Sequence, residues 1–151
     1  IMYEHVLAAV DGSDVSFRAL AESARLVRMS GGELHVITIV DRPLGHMPYY
    51  AKYYDAEALY AAALKAADEI LDKARNVVAE YAVPATYRRV SLETTGEEVA
   101  DRIEAEAEAV KADAIVMGTH SRRGVHRLML GSVAEGVLHS SRRPVLLVRD
   151  H

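Results

Sequence analysis

Short apolar runs alternate with segments of helical periodicity along the whole chain, and this alternation narrows the possible folds more than any other feature. Residues 5–10, 33–40, 85–92, 113–118 and 144–149 read as five strands. Between them Phe17, Leu20, Ala21, Ala24 and Val27 recur at helical spacing. Leu59, Ala62, Ala66, Ile70, Ala74, Val77 and Tyr81 define one face of a long second helix. Val99, Ile103, Ala107 and Val110 mark a third, and Val133 to Ser140 a fourth. Strands alternating with helices imply a parallel sheet covered on both faces, with right-handed crossovers. No repeat, low-complexity tract or linker divides the chain, so residues 1–151 are expected to form a single α/β domain.

The punctuation agrees. Asp11-Gly12-Ser13-Asp14 combines turn residues with good helix N-caps. Gly31-Gly32 ends the first helix, Pro84 the second, and Gly96 introduces the third. Pro144 stands at the start of the last strand, where a missing donor is tolerated. Residues 41–55 read as a loop holding Pro43, Gly45 and Pro48, with Tyr49, Tyr50, Tyr53 and Tyr54 at its end. Those tyrosines are a lid, packing for an irregular loop, or a partner surface.

One stretch carries chemistry. From Ala114 to Val133 the chain reads as a strand, then Gly118, a basic loop, and Gly131-Ser132 opening a helix. A strand that delivers a glycine-containing loop to a helix N-terminus is a ready anion site, because unpaired N–H groups and the helix dipole both favour negative charge. Arg122, Arg123, His126 and Arg127 concentrate positive charge there, on a chain whose net charge is −4. Read one by one, these side chains suit a solvated loop as well as a phosphate screen.

Gly118, two residues, Ser121, nine residues and Gly131-Ser132 resemble the phosphate loop of the universal stress protein family, whose ATP-binding branch carries Gly-x2-Gly-x9-Gly-Ser/Thr. Ser121 stands where the second glycine is expected. The resemblance spans His5 to Arg149. It implies a Rossmann-like open parallel five-stranded sheet in the order 3-2-1-4-5. The C-terminal ends of strands one and four then flank the switch point, where open α/β sheets bind ligands. Asp11 ends the first and Gly118 the second.

The resemblance further implies an adenine nucleotide, ATP or AMP, with Mg2+ beside the phosphates. Asp11 would accept from the ribose or help hold the metal; the alternative is a turn Asp capping the first helix. Gly12 and Ser13 supply the turn. The backbone of Val40 would read the base, bordered by Asp41 and Pro43. Gly118 lets a phosphate approach the main chain, or makes a tight strand exit. Gly131, Ser132 and Val133 offer N–H groups and a hydroxyl, or Ser132 is an ordinary N-cap. Ser121 and Arg122 complete the set. A serine held in left-handed backbone costs ~1–2 kcal/mol, against ~8 kcal/mol available to a micromolar ligand.

Other classes fit poorly. The acidic balance argues against nucleic acid held by a global positive field. No apolar run approaches a membrane span of ~20 residues. The N-terminal residues enter a strand without the form of a signal peptide, so a cytoplasmic protein is expected. Cysteine is absent, and the seven His show no metal-ligand spacing. No nucleophile–base set, nucleophile elbow or Walker loop is visible, which leaves at most slow ATP hydrolysis. The family covers its last strand by pairing it with the same strand of a second subunit. A homodimer through residues 144–149 is therefore implied, with a further protein partner unspecified. Two readings remain: a stress-response regulator that binds nucleotide, and a dimeric interaction protein that does not.

Overall fold

The structure is a computed structural model that describes residues 2–41, 55–92, 98–120 and 130–150. Its elements alternate as the sequence pattern requires. They are β1 (His5–Ala9), α1 (Asp14–Ser30), β2 (Glu33–Val40), α2 (Ala56–Ala79), β3 (Ala85–Ser91), α3 (Val99–Ala109), β4 (Ala114–Gly118), α4 (Ser132–Ser140) and β5 (Val145–Val148). The five strands form one sheet in the order β3-β2-β1-β4-β5. Every pairing is parallel.

Period-two alternation sends successive strand residues to opposite layers. Val6, Ala8, Val10, Leu34, Val36 and Val116 pack against Phe17, Leu20, Ala24 and Val27 of α1 and Leu71, Ala74 and Val78 of α2. Leu7, Ile37, Val90, Ile115 and Met117 pack against Ile103 and Ala107 of α3 and Ala134 and Val137 of α4. Runs with both faces buried are what a two-sided parallel sheet demands. At the edge, β5 pairs only with β4 among the described residues, and Leu146 is 45% exposed.

The local signals act as read. Gly31 takes φ 77° and its N–H closes α1 onto the carbonyl of Val27. Gly32 has no room for a side chain, since a Cβ there would lie 2.4 Å from the carbonyl oxygen of Tyr3. Gly136 lets α3 and α4 cross closely, a Cβ there meeting that of Ala100 at 2.6 Å. Gly96 and the tyrosines at 49–54 lie outside the described residues.

Two helical faces differ from expectation. On α2 the buried stripe is Ala67, Leu71, Ala74 and Val78, whereas Leu59, Ala62 and Ala66 are exposed. The Ala-rich first half fits several phases of the 3.6 period, so contact with the sheet, not periodicity, selects the face. On α3, Val110 is the C-cap and packs on the core with Val99, Ile103 and Ala107 as expected, but Glu106 is buried beside them. Its carboxylate lies 3.1 Å from the Arg88 guanidinium.

Candidate functional site

The loops leaving a parallel sheet at its C-terminal edge diverge where the strand order reverses, here between β1 and β4. A cleft of about 270 Å3 opens at this place. Its walls are Ala9, Val10, Ile39 and Met117 from strand ends, Val99 and Ile103 from α3, and Val133 and Ala134 from the start of α4. Asp11, Ser16, Asp41, Gly118, Thr119 and His120 supply the rest. Apolar walls with a few polar groups are the usual make-up of a small-molecule site.

Asp11 is set by a compact turn. Its Oδ1 accepts from the Ser13 N–H at 2.9 Å and from the Ser13 hydroxyl at 2.5 Å. Gly12 bridges them with φ 90°, a conformation that favours glycine. The cap of α1 is therefore Ser13, whose Oγ accepts from the Ser16 N–H at 3.2 Å. Asp11 shapes the turn before the helix and is not its cap. Ser16, buried on the first turn, donates its hydroxyl to the Ser13 carbonyl at 2.8 Å.

Gly118 ends β4, lines the cleft and sits tightly against α1. A Cβ there would lie 3.0 Å from Cγ1 of Val15, on the first turn of α1. Positive φ belongs to Gly12 and Gly31 among the described glycines, not to Gly118. The chain then turns outward, with the Thr119 N–H donating to the Val148 carbonyl at 3.0 Å.

At the start of α4 the N-cap is Gly131, with φ −66° and ψ 160°. This corrects the reading of Ser132 as an ordinary cap: Ser132 is the first helical residue. The Gly131 N–H donates to the Thr119 carbonyl at 2.7 Å. That amide is thus committed to the protein, and the N–H groups of Ser132, Val133 and Ala134 are the ones left in the first turn without an intrahelical acceptor.

Of the residues singled out in the sequence, the structure brings Asp11, Gly118 and Val133 to the cleft wall, with Asp41 beside them. Gly12 and Ser13 stand behind Asp11, and Gly131 and Ser132 stand before Val133. Val40 faces away and is buried, its carbonyl accepting from the Leu92 N–H at 2.9 Å. The reading of Val40 asks only for its backbone, and alternation brings the side chains of Ile39 and Asp41 to the cleft. Ser121 and Arg122 lie outside the described residues, as do Pro43, Arg123, His126 and Arg127. The apolar wall was missed as a site because Val99, Ile103 and Met117 read as core. Their place at strand ends and on the first turns of helices was the available signal.

Known proteins agree with this architecture. The profile of the universal stress protein family matches residues 2–149. Universal stress protein MJ0531 of Methanocaldococcus jannaschii is 31% identical over 149 residues, covering 98% of this chain and 83% of that protein. A universal stress protein family member from Burkholderia pseudomallei superposes with a TM-score of 0.75 at 29% identity, covering 98% of this chain and 97% of that one. The universal stress protein of Archaeoglobus fulgidus, solved in complex with dAMP, gives a TM-score of 0.67 at 25% identity, covering 99% and 100% of the two chains. With profile, sequence and fold in agreement over nearly its full length, the chain belongs to the universal stress protein family.

Proposed function

We propose that this protein is a stress-response regulator that binds an adenine nucleotide, ATP or AMP, in the cleft between β1 and β4. The observation that carries the reading is the convergence of three separate segments on one cleft: Asp11 after β1, Gly118-Thr119 at the end of β4, and Val133-Ala134 in the first turn of α4. The dAMP complex of the Archaeoglobus relative supports adenine nucleotide as the ligand class. The base would lie between the apolar residues Ile39, Val99 and Met117. Asp11 and Asp41 are carboxylates and would repel phosphate, so they suit the ribose hydroxyls and the base. The phosphates would turn to the N–H groups of Ser132 and Val133, at the positive end of the α4 dipole. Mg2+ would offset charge where a triphosphate passes a carboxylate. Ser121 and Arg122 would complete the phosphate side.

The competing reading, a dimeric interaction protein without nucleotide, draws on one observation. Gly118 packs tightly against Val15, a contact that favours glycine with or without a ligand. In both readings the exposed apolar edge of β5 pairs with the same strand of a second copy, giving a two-fold homodimer in the cytoplasm.

Mass spectrometry of the protein purified under native conditions, followed by calorimetric titration with ATP, AMP and Mg2+, separates the two. Co-purified adenine nucleotide or saturable heat is expected. An empty protein with no heat and no thermal shift at millimolar nucleotide would leave the interaction protein.

A further inference from the structure

We propose that His5, Glu33 and His35 together form a site for a divalent transition-metal cation of the zinc type, at the edge of the sheet opposite the nucleotide cleft. His5 and His35 are thirty residues apart in the chain, so linear spacing conceals the group. The parallel register exposes it. His5 pairs with Glu33 across β1 and β2, and His35 lies two residues beyond Glu33 on the same face. The strands begin here and end at the cleft, roughly 13 Å away at ~3.3 Å per residue.

The geometry suits a metal. One ligand atom from each of the three residues lies within 4.8 Å of the others. His5 Nδ1 and His35 Nε2 are 3.2 Å apart. Two nitrogens on one tetrahedral zinc, each at ~2.0–2.1 Å, stand about 3.3 Å apart. Glu33 Oε2 is 3.9 Å from His5 Nδ1, and its side chain is more than half exposed and free to swing inward. Three protein ligands leave a fourth position for water, the arrangement of an open site. Two imidazoles and a carboxylate favour zinc, nickel or copper over Mg2+ or Ca2+.

The surroundings prepare these ligands. His35 Nδ1 lies 3.1 Å from the Thr86 hydroxyl oxygen on β3; with the proton on Nδ1 that oxygen accepts it, and the Nε2 lone pair faces His5. A hydrogen bond on the far ring nitrogen is the usual support of a metal-binding histidine. The main chain is pinned as well: the His5 N–H donates to Asp113 Oδ2 at 2.9 Å, and the Glu33 N–H to the Glu4 carbonyl at 2.7 Å.

The test is a Zn2+ titration of the full chain at neutral pH, followed by calorimetry and by imidazole NMR. One equivalent should bind and shift the His5 and His35 ring signals, with excess Mg2+ failing to displace it. His35→Gln and Glu33→Gln should each weaken binding at least about ten-fold. His5→Gln replaces His35→Gln if that variant misfolds, and the wild-type NMR needs no variant. Unmoved His5 and His35 signals would overturn the site. So would undiminished affinity in the variants, which would place the metal on other histidines of the chain.

Discussion

The Gly131 amide donates to the carbonyl oxygen of Thr119 at 2.7 Å, clasping the start of α4 to the end of β4. The two segments that would hold phosphate are thus one mechanical unit, although eleven residues lie between them. Gly131 has φ −66°, which suits any residue, so its glycine is not required by backbone conformation. Gly131→Val should therefore keep the clasp and the fold while placing a branched side chain beside the anion site. We expect nucleotide binding to be lost in calorimetry, with thermal stability changed by less than ~1 kcal/mol. Gly131→Pro also fits that φ but removes the donor, and should lower stability by ~1 kcal/mol. Equal nucleotide affinity in wild type and Gly131→Val would remove α4 from the site.

Gly118 allows a test that needs no ligand. Its missing Cβ leaves room for Val15, which is buried. Gly118→Ala should overpack this contact and destabilise by about 1–3 kcal/mol. In a Val15→Ala background the same change should be close to neutral, giving a coupling energy in a double-mutant cycle. Additive effects in denaturant melts would show that the contact does not set the requirement for glycine.

For Asp11 the useful contrast is Asn against Ala. Asp11→Asn keeps an oxygen for the Ser13 N–H but loses the charge. If the carboxylate accepts from ribose hydroxyls, AMP affinity should fall by roughly ten-fold, the difference between a charged and a neutral hydrogen bond. Asp11→Ala should in addition loosen the turn and lower stability by ~1 kcal/mol. Unchanged AMP affinity in both variants would confine Asp11 to the turn.

The legible parts of this chain follow from local physics, and the illegible ones from contacts at a distance. Strand positions, Gly31 as a helix stop and the pairing of Asp11 with Gly118 at one edge needed only period, turn chemistry and family resemblance. On α2 the expected face holds from Ile70 onward but not at Leu59, Ala62 and Ala66, because alanine marks no face by itself. The Gly118–Val15 contact is not legible in the sequence, because the two residues meet only through the fold. Ile39 was not legible as a cleft residue because it is one of several apolar residues in β2, and only the strand's alternation turns its side chain to the cleft. The His5–Glu33–His35 group required the β1–β2 register, which the alternation of elements does not supply.

The last prediction concerns the β5 edge. Val145 and Leu147 pack on the α3–α4 side of the core, and Val148 on the α1–α2 side. Leu146 is 45% exposed and unpaired on one flank of its strand within the described sheet. A charge at Leu147 would disturb both the protomer and any dimer, so its effect would be ambiguous. Leu146→Asp separates them: with little burial to lose, the protomer should change in stability by ~0.5–1 kcal/mol at most. If two copies pair through β5, that carboxylate would sit in an apolar interface and be unpaired, a burial that association at micromolar concentration does not overcome. Sedimentation velocity should give a dimer for the wild type and a monomer for Leu146→Asp, with the same circular dichroism. A wild type that sediments as a monomer, or a Leu146→Asp protein that stays dimeric, would move the assembly away from this strand.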